Sequence, residues 1–544
     1  MNSPYRFAGD PRRRPNGPHR GAPTVISQRR TDRPPPPPVE ARESCHALAD
    51  AIAGHVDHIL AVAGAPTTHL ADLVRMLRPD RFEWAVNEKV AAETAVGLSA
   101  AGRRCCLVVK HNGLGLALDP LVNAAMHTLA AGMVVVSGDD PDALSSTVVQ
   151  DSRTLGQAAR TPVFEPALDG DTDLLLGTAV ALSEQARIPV VVKVTTRMHA
   201  ACPAAVPAPG RLSRPRAERP APRLNLDLAH GLTKLGRHQR YRLVAAPVVQ
   251  AAVDRPETTS VACAQPCGPA VIAVGATAQV VPVSPHYCRM VVRAGPPAPA
   301  AVVAFAERHT RTTVVEEPLP VLEEWLRAQV GRPHDVRGRL SGHLPPEGAV
   351  TARDVERVTA GERPGAWRTI TRKPEAAAGP GQWAVLFTAV SRLRGEGAFV
   401  AADVGSSVRL CYPPYRGADV ALCLGSPIAV AGGAARAGRA AVAVIGDYGL
   451  LHSGLESLLT VVERQLPVLV VVLGNGVQAK TGGQPLPAVD IPALVRACGV
   501  DAVERWSLAD VDTATAHRRL VDLLARGRPA VAYVSGPDRD GCQP

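Results

Sequence analysis

Short apolar runs, too brief for buried helices and separated by alanine-rich amphipathic stretches, set the tightest limit on how this chain can fold. Cys106 to Val109, Met133 to Val136 and Val190 to Val194 are such runs, and Ala441 to Ile445, Val468 to Leu473 and Ala530 to Val534 repeat the pattern later in the chain. A strand that alternates apolar and polar residues has one wet face, whereas a continuous apolar run is buried on both faces. The expected class is therefore α/β, with two parallel sheets covered by helices on both sides. Val271 to Val274 and Thr313 to Val315 read as strands of a smaller α/β block between them. No periodic repeat of solenoid length is present.

Composition divides the chain further. At 544 residues it exceeds what one core can hold, so three or four domains are expected. Residues 1–40 are rich in Arg, Pro and Gly and end in the run Pro34 to Pro38, which predicts a disordered tail. The predicted folded blocks are 41–201, 241–360 and 381–536. Stretches 202–240 and 361–380 serve as linkers, and 537–544 forms a short tail.

The formal net charge of +10 suggests nucleic acid at first, but eight arginines against Asp10, Asp32 and Glu40 put half of it in the first forty residues. Only six of the 60 basic residues are lysines, the pattern of GC-rich coding, so neither a nucleic-acid partner nor a membrane partner is expected. The eleven cysteines show no C-x-x-C spacing, which argues against a zinc or iron-sulfur site. With no secretory segment and no run of about eighteen apolar residues, the chain reads as cytoplasmic with reduced, mostly buried thiols.

The chemistry is most visible in the third block. Asp447 stands at the carboxyl end of one predicted strand and Asn475 at the end of the next, where open α/β sheets bind ligands. A hard divalent cation holding a diphosphate takes carboxylate, amide and carbonyl oxygens. Asp447, Asn475 and the carbonyl of Val477 supply that set. Gly446-Asp447, the 28-residue step to Asn475, His452-Ser453-Gly454, Thr481-Gly482 and Gln484-Pro485 together resemble the cofactor motif of the indolepyruvate:ferredoxin oxidoreductase large-subunit family. The resemblance implies thiamine diphosphate and Mg²⁺ as cofactors. It also implies that Gly405, Gly425, Gly446 and Thr481 belong to the cofactor site with the three metal ligands, and that the two outer blocks are pyrimidine-binding and diphosphate-binding domains.

The first block carries the complementary half. Thiamine diphosphate needs a carboxylate on its aminopyrimidine ring, and Glu83 to Ala91 with Glu93 and Gly97 is similar to the segment that provides it, which places Glu88 in that role. Read alone, Glu88 would be a solvated helix residue paired with a neighbouring Lys or Arg. Further matches are Lys110-His111 with Gly113-Leu114, Asp119-Pro120-Leu121, Asp139-Asp140-Pro141, Gln150 to Arg153 and Thr195 to Arg197. Lys110 and His111 either meet the substrate carboxylate or shuttle a proton, or are satisfied surface groups. Val314 to Pro318, Gly338 and Leu344-Pro345 with Gly348 resemble the joining domain, with a structural role.

The implied activity is decarboxylation of a 2-oxo acid, an aryl pyruvate such as indolepyruvate first among them, by an oxidoreductase that works as a homodimer. Near Pro544 there is no C-x-x-C-x-x-C run, so no iron-sulfur cluster is expected in this chain. The electrons left after CO₂ departs then require a partner, such as a small oxidoreductase subunit. A non-oxidative decarboxylase or carboligase is the alternative reading, and a non-catalytic scaffold of the same fold a further one. Tyr448, Gly474, Lys480 and Gly483 depart from the family pattern. Lys480 is either a positive charge beside the reacting centre or a surface lysine.

Overall fold

A computed structural model describes residues 41–199, 232–263, 268–331, 334–362 and 381–536. Both predicted tails, and most of each predicted linker, lie outside the described residues. β1 (His58–Ala61), β2 (Phe82–Trp84), β3 (Cys105–Lys110), β4 (Met133–Asp139), β5 (Val163–Phe164) and β6 (Val190–Thr195) form a parallel sheet ordered β2-β1-β3-β4-β6-β5. β7 (Thr259–Ala262), β8 (Ala270–Val274), β9 (Cys288–Val292), β10 (Arg311–Val315) and β11 (Asp335–Arg337) form a second sheet ordered β11-β10-β8-β9-β7, parallel except for β7.

The third sheet holds β12 (Phe399–Ala402), β13 (Val420–Ala421), β14 (Ala441–Gly446) and β15 (Val468–Gly474). After the small antiparallel pair β16 (Val477–Gln478) and β17 (Gln484–Pro485) come β18 (Ala502–Ser507) and β19 (Ala530–Ser535). Its order, β13-β12-β14-β15-β19-β18, repeats that of the first sheet strand for strand. The class is α/β with parallel sheets, as the apolar runs require.

Burial on both faces explains those runs. In the first sheet Cys106, Val108, Val134 and Val136 enter one core, while Leu107, Val109, Met133 and Val135 enter the opposite one. In the third, Val442, Val444, Leu469 and Val471 face one way and Ala443, Ile445, Val470 and Val472 the other. Successive side chains point to opposite faces, so with helices on each side both sets of positions are filled mainly by apolar residues. Among the described residues no helix is long and apolar enough to cross a membrane.

In the two outer sheets the chain leaves a central strand to one side and returns on the other, so a crevice opens at the carboxyl ends of β1 and β3, and of β12 and β14. The corresponding crevice of the middle sheet, between β8 and β10, is filled. Glu316 and Glu317 follow β10 and are buried. Arg153 reaches Glu316 at 2.5 Å and Asp151 at 3.0 Å, and Arg197 holds Glu317 at 2.9 Å. Lys193 donates to the Glu317 carbonyl at 2.6 Å and pairs with Glu165 at 2.9 Å. A β-carbon on Gly275, after β8, would lie 2.0 Å from Glu165 Cγ, so only glycine lets the two blocks close this far.

The expectation of reduced thiols needs correcting at one pair: Cys263 and Cys288 form a disulfide. Antiparallel pairing of β7 with β9 sets Ala262 opposite Arg289, which brings the next two residues across from each other. Cys45 and Cys106 are buried thiols whose pKa burial pushes up to about 12, which makes them inert.

Arg153 is fully buried between Asp151 and Glu316, so removing it strands two buried carboxylates. Arg153→Met is expected to lower stability by about 3–5 kcal/mol. Urea unfolding measures this, and a loss below about 1 kcal/mol would refute the anchoring role.

Candidate functional site

The crevices of the two outer sheets meet within one chain. Asn87 caps the helix Glu88–Ala100, accepting from the amides of Lys89 and Val90, which leaves Glu88 as its first residue. From the third sheet, Asp447 follows β14 and the chain passes through a π turn that presents His452. Glu88 Oε2 and His452 Nε2 are 2.8 Å apart, and Asn87 Nδ2 donates to the His452 carbonyl at 2.8 Å. A second copy of the chain is not needed to bring these halves together.

Counting protons defines the pair further. Ser453 Oγ donates its one hydrogen to the Leu424 carbonyl at 3.0 Å, so in its 2.9 Å contact with His452 Nδ1 the imidazole must donate. One remaining proton is then shared between His452 Nε2 and Glu88. The other Glu88 oxygen lies against Gly113, where a β-carbon would sit 2.5 Å away.

Asp447 is buried and densely bonded: Oδ1 accepts from Tyr448 N at 2.8 Å, and Oδ2 from Asn475 N at 2.9 Å and Gly476 N at 2.6 Å. Burial pushes its pKa up, and these amide donors pull against that. The Asn475 amide group donates to Asp447 Oδ1 at 2.9 Å and to the Val477 carbonyl at 3.1 Å. Carboxylate, carboxamide and backbone carbonyl are the oxygen groups a hard divalent cation takes, and a turn of the amide would bring the third oxygen in. Among the described residues no three His, Cys, Asp or Glu side chains converge as a metal site; this set is instead one carboxylate, one amide and one carbonyl.

The other expected residues sort by position. Lys110 caps the helix His111–Leu116, passes Gly64 and donates to the Ser145 carbonyl at 3.2 Å. Burial lowers its pKa, while Asp140 and Glu88 oppose the shift. His111 is fully buried, with Nδ1 and Nε2 each 3.2 Å from the carbonyls of Gly138 and Val148. Thr481 Oγ1 lies 3.1 Å from Gln484 Oε1, and the adjoining Gly482 approaches Thr68 of the first block. Gly405 and Gly446 have open space where a side chain would be, whereas Gly425 packs on Ser453. Burial and Glu88 push the Tyr448 phenol up, and its ring meets His452 edge-on at 5.5 Å. Burial, then Arg409, lowers the pKa of Lys480. A cavity of about 430 Å³ lined by Pro66, Thr68, His69, Asp140, Ser145 and His199 lies beside Lys110 and the Gly482 turn.

Sequence reasoning missed Asp403. It follows β12 as Asp447 follows β14, and it accepts from Val404 N at 2.7 Å and Gly425 N at 3.2 Å. A β-carbon on Gly449 would fall 2.2 Å from its Oδ2. It therefore holds the turn whose Leu424 carbonyl anchors Ser453 and His452. An Asp directly after an apolar run was the available signal.

The sequence is also similar to known proteins. Residues 403–532 match the family model described as thiamine pyrophosphate enzyme, C-terminal TPP binding domain. Indolepyruvate oxidoreductase subunit IorA of Archaeoglobus fulgidus is 29% identical over 528 residues, covering 88% of this chain and 82% of that protein. The subunit of the same name from Methanothermobacter marburgensis is 28% identical, covering 81% and 77%. A solved 2-oxoglutarate:ferredoxin oxidoreductase from Magnetococcus marinus aligns at a TM-score of 0.44 and 16% identity, covering 58% of this chain and 64% of its own. The matched domain and the relatives indicate a thiamine diphosphate-dependent enzyme of the 2-oxo acid oxidoreductase class. Within that class the chain is similar over most of its length to proteins named indolepyruvate oxidoreductase subunit IorA, at 25–29% identity.

Burial pushes the Asp403 carboxyl up to about 6. Between about pH 4 and 6 the folded chain keeps a proton that the unfolded chain has released, so this group's contribution to stability falls as pH rises through that window, by about 3 kcal/mol at the limit. Asp403→Asn is expected to flatten that slope when urea unfolding is followed at stepped pH without added cofactor; an unchanged slope would exclude Asp403 as its source.

Proposed function

We propose that this chain holds thiamine diphosphate and Mg²⁺ between its two outer sheets and uses them to decarboxylate a 2-oxo acid. The observation that carries the reading is the convergence of the Asp447 carboxylate, the Asn475 carboxamide and the Val477 carbonyl in the same crevice as the Glu88–His452 pair. When bound, thiamine diphosphate supplies a carbon nucleophile for the ketone and an electron sink for the loss of CO₂.

The chain's own residues have separate tasks. Asp447, Asn475 and the Val477 carbonyl hold the metal, and the open backbone at Gly405 and Gly446 leaves room for the diphosphate. Glu88, steadied by His452 on one oxygen and packed against Gly113 on the other, holds a proton at the pyrimidine ring nitrogen. Lys110, which donates to the carbonyl of Ser145 in the lining of the 430 Å³ cavity, meets the substrate carboxylate, and a partly desolvated ammonium binds an anion more strongly than a hydrated one. His111, with both nitrogens on carbonyls, braces the crevice wall. Closure of the two sheets over the site excludes water.

An aryl pyruvate such as indolepyruvate is the substrate that the names of the relatives favour, and their designation as a subunit supports a separate partner that accepts the electrons. The test is CO₂ release from indolepyruvate and phenylpyruvate by the purified chain with thiamine diphosphate and Mg²⁺, with and without a redox dye. Dye-dependent turnover is expected. Glu88→Gln and Asp447→Asn should each lower the rate by about 10²-fold or more, the usual scale for losing a positioned proton-transfer group or cofactor ligand. Wild-type rates in Glu88→Gln, or turnover indifferent to Mg²⁺ removal, would overturn the assignment.

A further inference from the structure

The structure has a second cavity, of about 420 Å³, that shares no lining residue with the Asp447 site: it opens where the carboxyl ends of β8 and β9 meet the helices Ala246–Val253 and Val321–Gln329 and the edge of the first block. Ligands of open α/β sheets bind at strand carboxyl ends and at domain junctions. Because Arg153, Arg197 and Glu165 plug the crevice between β8 and β10, the free volume lies on the β8/β9 side.

We propose that this cavity is a binding site for an aromatic monocarboxylate. Val274 and Val292 form an apolar wall, and the rings of Tyr241 and Trp325 line the cavity with them, a shape suited to a flat hydrocarbon ring. No carboxylate lines it. Of its two guanidinium groups, that of Arg153 is spent on Asp151, Glu316 and the carbonyls of Glu317 and Leu319. Arg160 lies 5.8 Å from the Tyr241 ring centre, and among the described residues no carboxylate pairs with it. It also holds a left-handed backbone, φ 57°, with its carbonyl fixed by the Tyr241 hydroxyl at 3.0 Å, a strained conformation of the kind that clusters at binding sites. One available cation selects one negative charge, which a carboxylate meets with two parallel hydrogen bonds.

A nucleotide fits poorly. Phosphates need several backbone N–H groups, but the lining loop runs Gly295-Pro296-Pro297, the prolines have none, and Gly295 N is already given to the Val163 carbonyl at 2.9 Å. The inference does not depend on the catalytic reading, although the substrate in that reading would belong to the ligand class.

The test is calorimetric titration of the full chain, saturated with thiamine diphosphate and Mg²⁺, using indole-3-acetate, its uncharged amide and ADP as probes. Saturable binding of indole-3-acetate is expected, about tenfold tighter than the amide, with no heat from ADP. Arg160→Gln should weaken the acid to the level of the amide and leave the amide unchanged, which also reports that the variant is folded. Asp447→Asn should leave affinity for the acid unchanged. Absence of saturable binding, full affinity in Arg160→Gln, or loss of affinity in Asp447→Asn, which would put the ligand in the cofactor site, each overturns the proposal.

Discussion

The 2.8 Å contact between Glu88 and His452 joins residues 364 positions apart, and the arrangement of the whole molecule is a condition for it. A buried carboxylate costs several kcal/mol unless its lone pairs are met. Glu88 meets that demand partly through its place in the first turn of a helix, where the unsatisfied amides and the helix dipole favour negative charge, and partly through an imidazole from the other outer sheet. That imidazole is itself steadied through Ser453 and the turn held by Asp403. The contact exists only if both outer sheets turn the carboxyl ends of their central strands toward each other.

The middle sheet contributes to that orientation by docking on the first block. Its Glu316 and Glu317 receive Arg153, Arg197 and Lys193, so the junction rests on buried charges that are each paired. Such networks add little net stability over an apolar junction, but breaking one partner is severe, and this favours one relative placement of the two blocks.

Much of this was legible in the sequence where the cause is local. β4 and β15 are buried at every residue and read as strands directly. Asp447 and Asn475 could be placed together because each follows a strand of a parallel pair, and the register of Gly446 against Leu473 brings their ends level. What stayed hidden depends on distant segments. Lys193 interrupts an apolar run yet is fully buried, since Glu165 and the Glu317 carbonyl reach it from other elements. The partnership of Glu88 with His452 had no sequence signal, although each motif was visible by itself. The Cys263–Cys288 pairing was hidden likewise, because strand register decides it and spacing does not.

The three sheets share one topological feature, a crevice where strand order reverses, and side-chain saturation decides what each can do with it. In the middle sheet the two glutamates that follow β10 are answered from within the protein: Glu316 takes Arg153 and the amides of Leu322 and Glu323, and Glu317 takes Arg197 and the amide of Val350. Both carboxylates are spent, and the crevice is a joint. In the third sheet the Asn475 amide answers Asp447 Oδ1 and the Val477 carbonyl, and open backbone remains beside them at Gly405 and Gly446. A crevice closed by the ion pairs of a second block joins domains, whereas one that keeps open backbone at its strand ends retains room. On this criterion the middle sheet of this chain is a joint, and the free space lies at the crevice of its third sheet.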